Sequence, residues 1–130
     1  MDIASWSARM LSVLRIMTGL LFLEHGTQKL LHFPPPANPG PALLSLLGLQ
    51  GVLELVGGIL IVIGLFTRPV AFILAGDMAV AYFYAHSPRG FFPTLNGGQL
   101  AILFSFVFLY LFVAGGGPWS VDAQRAASRS

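Results

Sequence analysis

Apolar residues dominate four stretches of this chain, about 10–31, 43–66, 70–85 and 97–116, and the residues between them are rich in proline, glycine and charge. A helix rises about 1.5 Å per residue, so roughly 20 apolar residues cross a hydrocarbon core about 30 Å thick. Each stretch comes close to that length, which predicts four membrane-spanning helices. The first ends at the proline cluster of HFPPPANPGP, because proline lacks the amide hydrogen that a helix must donate. The second stops at Thr67-Arg68-Pro69, where the proline suits the first turn of the third. So short a connection makes the second and third segments an antiparallel hairpin. In the fourth, FSFVFLYLF alternates its aromatic residues as a strand would, but a lone strand would leave its backbone groups unpaired in lipid. The expected fold is therefore all-α, an integral membrane four-helix bundle with antiparallel neighbouring transmembrane helices. It forms one domain over residues 1–130, with a short tail at 117–130.

Composition agrees with that pattern. Hydrophobic residues make up 55% of the chain and charged ones 9%, against about 25% charged in a typical soluble domain. The net charge of +2 is scattered, which argues against a nucleic-acid partner, since that needs a clustered basic face. With no cysteine, the chain itself offers no disulfide, thiolate nucleophile or CxxC couple, so any redox chemistry is borrowed from a cofactor, substrate or partner. The first apolar run leads into Glu24 and His25 instead of a small-residue cleavage site, so the N-terminus is expected to be retained. Across an even number of spans, Arg9, Arg68, Arg125 and Arg129 share one side against Lys29 and Arg89 opposite. The positive-inside rule then puts both termini in the cytoplasm. The loops HFPPPANPGP and HSPRGFFPTLNGG face outward, while Phe91, Phe92 and Trp119 suit the headgroup region. Ser120 and Asp122 are positioned to begin a short amphipathic helix whose Arg125 and Arg129 meet anionic lipid.

Ionisable residues inside such spans need a reason. Glu54 is the twelfth of 24 residues in the second segment and Asp77 the eighth of 16 in the third, and Glu24 lies a few residues past the centre of the first. Three carboxyl groups thus share about one level, at about 3 kcal/mol of insertion cost each. Arg15, His25 and Lys29 are the available balancing cations. At about 100° per residue, Arg15, Gly19, Phe22, Gly26 and Lys29 form one stripe with His25 at its edge, and Glu24 and Gln28 fall on another flank. Gly19 and Gly26, Gly51 and Gly58 around Glu54, and Ala71, Ala75 and Ala79 mark faces where helices approach closely.

Two readings of these charges compete. In one they hold helices together without turnover; in the other they surround a polar pocket for a quinone head, a proton path or a small substrate. Carboxyls crowded at low dielectric cannot all ionise, so one is expected to keep its proton and serve as a relay. Axial haem ligation by His25 and His86, or metal ligation by Glu24, His25 and His32, lacks supporting spacing, so no metal site is expected. Met10, Met17, Met78 and the phenylalanines of the fourth segment read as packing.

Arg15, His25-Gly26 with Lys29 following, ELVGGILIVIGLFTR from Glu54 to Arg68, Met78, and GGGPWSVD from Gly115 to Asp122 together resemble the DoxX family of small bacterial membrane proteins. The resemblance covers nearly the whole chain. It implies a four-helix protein of the bacterial cytoplasmic (inner) membrane and an association with oxidoreductases, as the membrane subunit of a quinone-linked system. Gln99 stands where many relatives carry glutamate, so a fourth carboxyl is missing. The implied polar centre is Glu24, Glu54 and Asp77 with Arg15, His25 and Lys29. Quinone is the implied cofactor, and an oxidoreductase subunit or a second copy the implied partner. Competing expectations are a non-enzymatic anchor or assembly factor, and a minimal transporter built as an oligomer. The sequence supplies no nucleophile and no phosphate-binding glycine loop.

Overall fold

The computed structural model describes residues 2–37 and 45–129. Among them there is no strand. A 3-10 turn at Ile3–Trp6 leads into α1 (Ser7–Leu31), followed by α2 (Leu46–Ile63), α3 (Thr67–Ala81), the short α4 (Pro93–Asn96), α5 (Gln99–Ala114) and α6 (Val121–Arg129). α3 continues through a π turn (Tyr82–His86) and a 3-10 turn (Ser87–Arg89). Three apolar helical stretches, Ile3–Leu31, Leu46–Ile63 and Thr67–Arg89, are long enough to cross a membrane, and α5 is shorter at 16 residues.

The boundaries differ from the hydropathy pattern at the connections. The start of the second segment at Leu43 falls outside the described residues. α2 stops at Ile63, where Gly64 takes the left-handed conformation with φ 72° and its N–H caps Leu60 and Ile61. The hairpin connection is thus Gly64-Leu65-Phe66. Thr67-Arg68-Pro69 already forms the first turn of α3, where a proline needs no donor.

The bundle is built from two close pairs. α1 packs along α2, α3 packs along α5, and α2 joins the pairs. Glycine sets the first spacing: a Cβ on Gly26 would stand 2.5 Å from the Leu55 amide nitrogen, and one on Gly58 2.9 Å from the Leu23 Cα. Backbone therefore meets backbone there, as small residues permit in lipid. Ala71 and Ala75 are buried on α3, and Ser105 Oγ donates to the Ala75 carbonyl at 2.9 Å. Phe22 closes the centre, with its ring edge-to-face on Phe104 (5.4 Å) and Phe108 (5.0 Å) of α5. Leucines, valines and phenylalanines on the outer faces are exposed, as a lipid-facing surface requires.

Candidate functional site

The predicted stripe on α1 faces the bundle: Arg15, Gly19, Phe22 and Gly26 are all buried. Fourteen residues separate Arg15 from Lys29, which is roughly 21 Å along the helix. The two cations therefore serve opposite ends.

At the end away from the termini, Lys29 Nζ donates to Glu54 Oε1 and, at 3.0 Å, to Gln50 Oε1. Glu54 is 2% exposed and the Lys29 side chain 27%, so the carboxylate is sealed while the ammonium keeps an open side. Gln50 lies one turn before Glu54 on α2. Asp77 is half-buried, and its Oδ2 has no hydrogen-bond partner. Asp77 and Gln50 line a groove between α2 and α3, while Glu54, Lys29 and Gln50 form one chain of polar groups across α1 and α2.

This chain borders a cleft of about 360 Å³ between α1, α2, α3 and α5. Lys29, Glu54, Gln50, His25 and His86 face it beside Phe22, Met78 and Phe104. The His25 ring stands edge-on to Phe104 at 6.0 Å. His86 is held by Nδ1 donating to the Asn96 carbonyl at 3.1 Å. Buried Asn96 fastens the loop behind it: its amide donates to the Tyr82 hydroxyl (3.1 Å) and the Gly90 carbonyl (2.9 Å), and accepts from the Gly98 N–H (2.8 Å). Among the described residues no three histidine, aspartate or glutamate side chains converge as metal ligands.

Of the six residues expected at the polar centre, Asp77 lies in the groove between α2 and α3, and three border this cleft: Glu54, His25 and Lys29. Glu24 does not. It is exposed on the flank of α1, because its position falls off the buried stripe even though its depth is right. Arg15 lies at the other end. Gln50 and Asn96 belong to the arrangement without having been singled out in the sequence; for Gln50 the available signal was its i, i+4 spacing from Glu54.

At the termini end Arg15 is 1% exposed. Its Nε donates to the Ile61 carbonyl (2.9 Å), Nη2 to those of Trp119 (2.7 Å) and Val62 (3.3 Å), and Nη1 to that of Gly116. Ser12 Oγ donates to the Gly116 carbonyl (3.2 Å) and accepts from the Trp119 N–H (3.0 Å). Arg15 thereby binds the C-terminus of α2 to the GGGPW loop. Asp122 completes the clasp by capping α3 from a distance: it accepts from the N–H groups of Phe66 and Thr67 at 2.8 Å each. Burial pushes this carboxyl up, but the Thr67 and Phe66 amides and the Arg125 charge outweigh it and hold it below its usual 3.8. A lowered native value stabilises the clasp above the unfolded value and is lost as pH falls through the native one. The α6 attachment should therefore persist from neutral pH to below about 3.8. Asp122→Ala should cost about 1 kcal/mol, as the loss of a helix cap does, and speed tryptic cleavage at Arg125 at neutral pH. Unchanged proteolysis would rule out a role for this cap.

The fold and these two polar clusters define a multi-pass helical membrane protein with charged groups inside the bundle. The chain belongs to the DoxX family, whose profile matches residues 10–87. It is 45% identical over 117 residues to an uncharacterised protein of Haemophilus influenzae, covering 86% of this chain and 87% of that one. It is 29% identical over 128 residues to an uncharacterised membrane protein of Mycobacterium tuberculosis, covering 85% and 78%. No solved structure matches.

Proposed function

We propose that this chain is the membrane subunit of a quinone-linked oxidoreductase system, in the bacterial cytoplasmic membrane with both termini in the cytoplasm. The observation that carries the reading is the Lys29–Glu54 pair opening onto a cleft whose other walls are aromatic and aliphatic. Its volume of about 360 Å³ falls within the range of small-molecule sites, about 300–1,000 Å³, with few polar groups among apolar walls. A quinone head needs flat apolar walls and donors for its oxygens, and the residues present fit. Phe22, Phe104 and Met78 supply the walls, and the open side of Lys29 and the imidazole of His25 supply donors. A bound quinone supplies the two-electron, two-proton chemistry that this cysteine-free chain lacks. Glu54, paired with Lys29 at the wall of the cleft, is placed to take up a proton there.

The test is equilibrium binding of a short-chain quinone to the full chain in nanodiscs, corrected for partition into lipid. Saturable binding at one per chain, weakened about tenfold or more by His25→Leu, is expected if one donor bond and its ring contact are lost. Partition alone, with no saturation, would remove the proposal. The anchor reading rests on a different observation, that Lys29, Glu54 and Gln50 already satisfy one another. It would be favoured by a stoichiometric partner that co-purifies without quinone.

A further inference from the structure

A second cleft, of about 510 Å³, opens at the termini end between α6, the start of α3 and the glycine loop that follows α5. Arg68, Arg125 and Arg129 line it. Arg68 is exposed, lies over Gly115, and makes one long hydrogen bond to the Val113 carbonyl at 3.4 Å, which leaves most of its N–H groups available to a ligand. Arg125 is steered toward the cleft by the Phe66 ring, 5.1 Å beneath its guanidinium carbon. Among the described residues none of these three arginines forms an ion pair within 4 Å, Lys29–Glu54 being the ion pair found there. Asp122 also borders the cleft, but both its oxygens point to the Phe66 and Thr67 amides. Three guanidinium groups against one committed carboxylate leave the cavity cationic. Exposed Phe66 and Trp119 at the same end are the residues expected at headgroup depth.

We infer that this cleft binds the phosphate of an anionic phospholipid headgroup, with Arg68 and Arg129 as forked donors and α6 as the outer wall. Guanidinium forks match phosphate oxygens geometrically, which separates a seated headgroup from diffuse attraction to a charged surface. The site is independent of the quinone reading, since it shares no residue with the other cleft.

The test titrates the full chain in neutral detergent with short-chain phosphatidylglycerol, with phosphatidylcholine and inorganic phosphate as parallel arms. Saturable binding of phosphatidylglycerol at one per chain is expected, with far weaker binding of the other two. Arg68→Gln and Arg129→Gln should each weaken it about fivefold and together about 25-fold, while Arg68→Lys retains more. Arg9→Gln is the control, because Arg9 sits at the same end but stacks on Trp6 outside the cleft, and it should leave binding within twofold. An equal loss in Arg9→Gln would show diffuse surface charge and overturn the site. Equal binding of phosphatidylcholine would overturn it as well, and equal binding of inorganic phosphate would overturn its assignment to lipid.

Discussion

Replacing Arg15 with methionine is expected to destabilise the protein strongly by releasing the clasp at the termini end of the bundle. The guanidinium is the donor for carbonyls of Ile61, Val62, Gly116 and Trp119. Two of these belong to the last turn of α2, where helix geometry leaves carbonyls without a partner and concentrates partial negative charge. Gly116 keeps the Ser12 hydroxyl and Ile61 keeps the Gly64 N–H, so Val62 and Trp119 are left unpaired at about 1–3 kcal/mol each, roughly 4 kcal/mol together. That is a large share of a total stability of about 5–15 kcal/mol. Lysine in the same place keeps the charge but not the planar fork, and should recover less than half. Ser12→Ala, which removes one donor to Gly116 and one acceptor for Trp119, should cost less. Thermal unfolding in detergent, followed by the fluorescence of Trp6 and Trp119, reads the series. An Arg15→Met protein as stable as the parent would show that the clasp contributes little.

The same residue shows where sequence reasoning succeeds and where it stops. The 100° periodicity places Arg15, Gly19, Phe22 and Gly26 on one face, and all four are buried together. Periodicity gives the direction of a side chain but not its partner. Charge alone pairs Arg15 with the acids, whereas in the fold it donates to backbone carbonyls, which carry no mark in the sequence. Glu24 illustrates the complementary limit: depth along the helix put it level with Glu54, while its azimuth turned it outward. The close approach of α1 and α2 was legible because glycine is the residue that permits it. The hairpin boundary was less so, since Gly64 ends α2 by a left-handed turn while Thr67-Arg68-Pro69 reads equally well as loop or first turn. The GPWSVD sequence was recognisable as a family signature, but its role emerges only once Asp122 is seen at the head of α3.

The second large effect concerns the polar pair, and it should be asymmetric. Lys29→Met leaves Glu54, 2% exposed, without its cation, and stranding one member of a buried pair costs about 3–5 kcal/mol. Glu54→Gln strands Lys29 instead, but that side chain is 27% exposed, keeps its bond to Gln50 and can extend its stem toward the membrane surface. The glutamate variant should therefore lose only about half as much stability as the lysine variant, because the ammonium is the less buried partner. Removing both charges together, as Lys29→Met with Glu54→Leu, should restore most of the loss, since apolar replacements of a buried pair are often neutral. Binding separates structure from function at this point. If the pair only holds α1 to α2, the restored double variant should be indistinguishable from the parent in every assay. If it forms the wall of a quinone site, the double variant should unfold near the parental temperature and yet bind quinone at least tenfold more weakly, for want of the Lys29 donor. Stability and quinone affinity recovering in parallel would return the pair to a purely structural role.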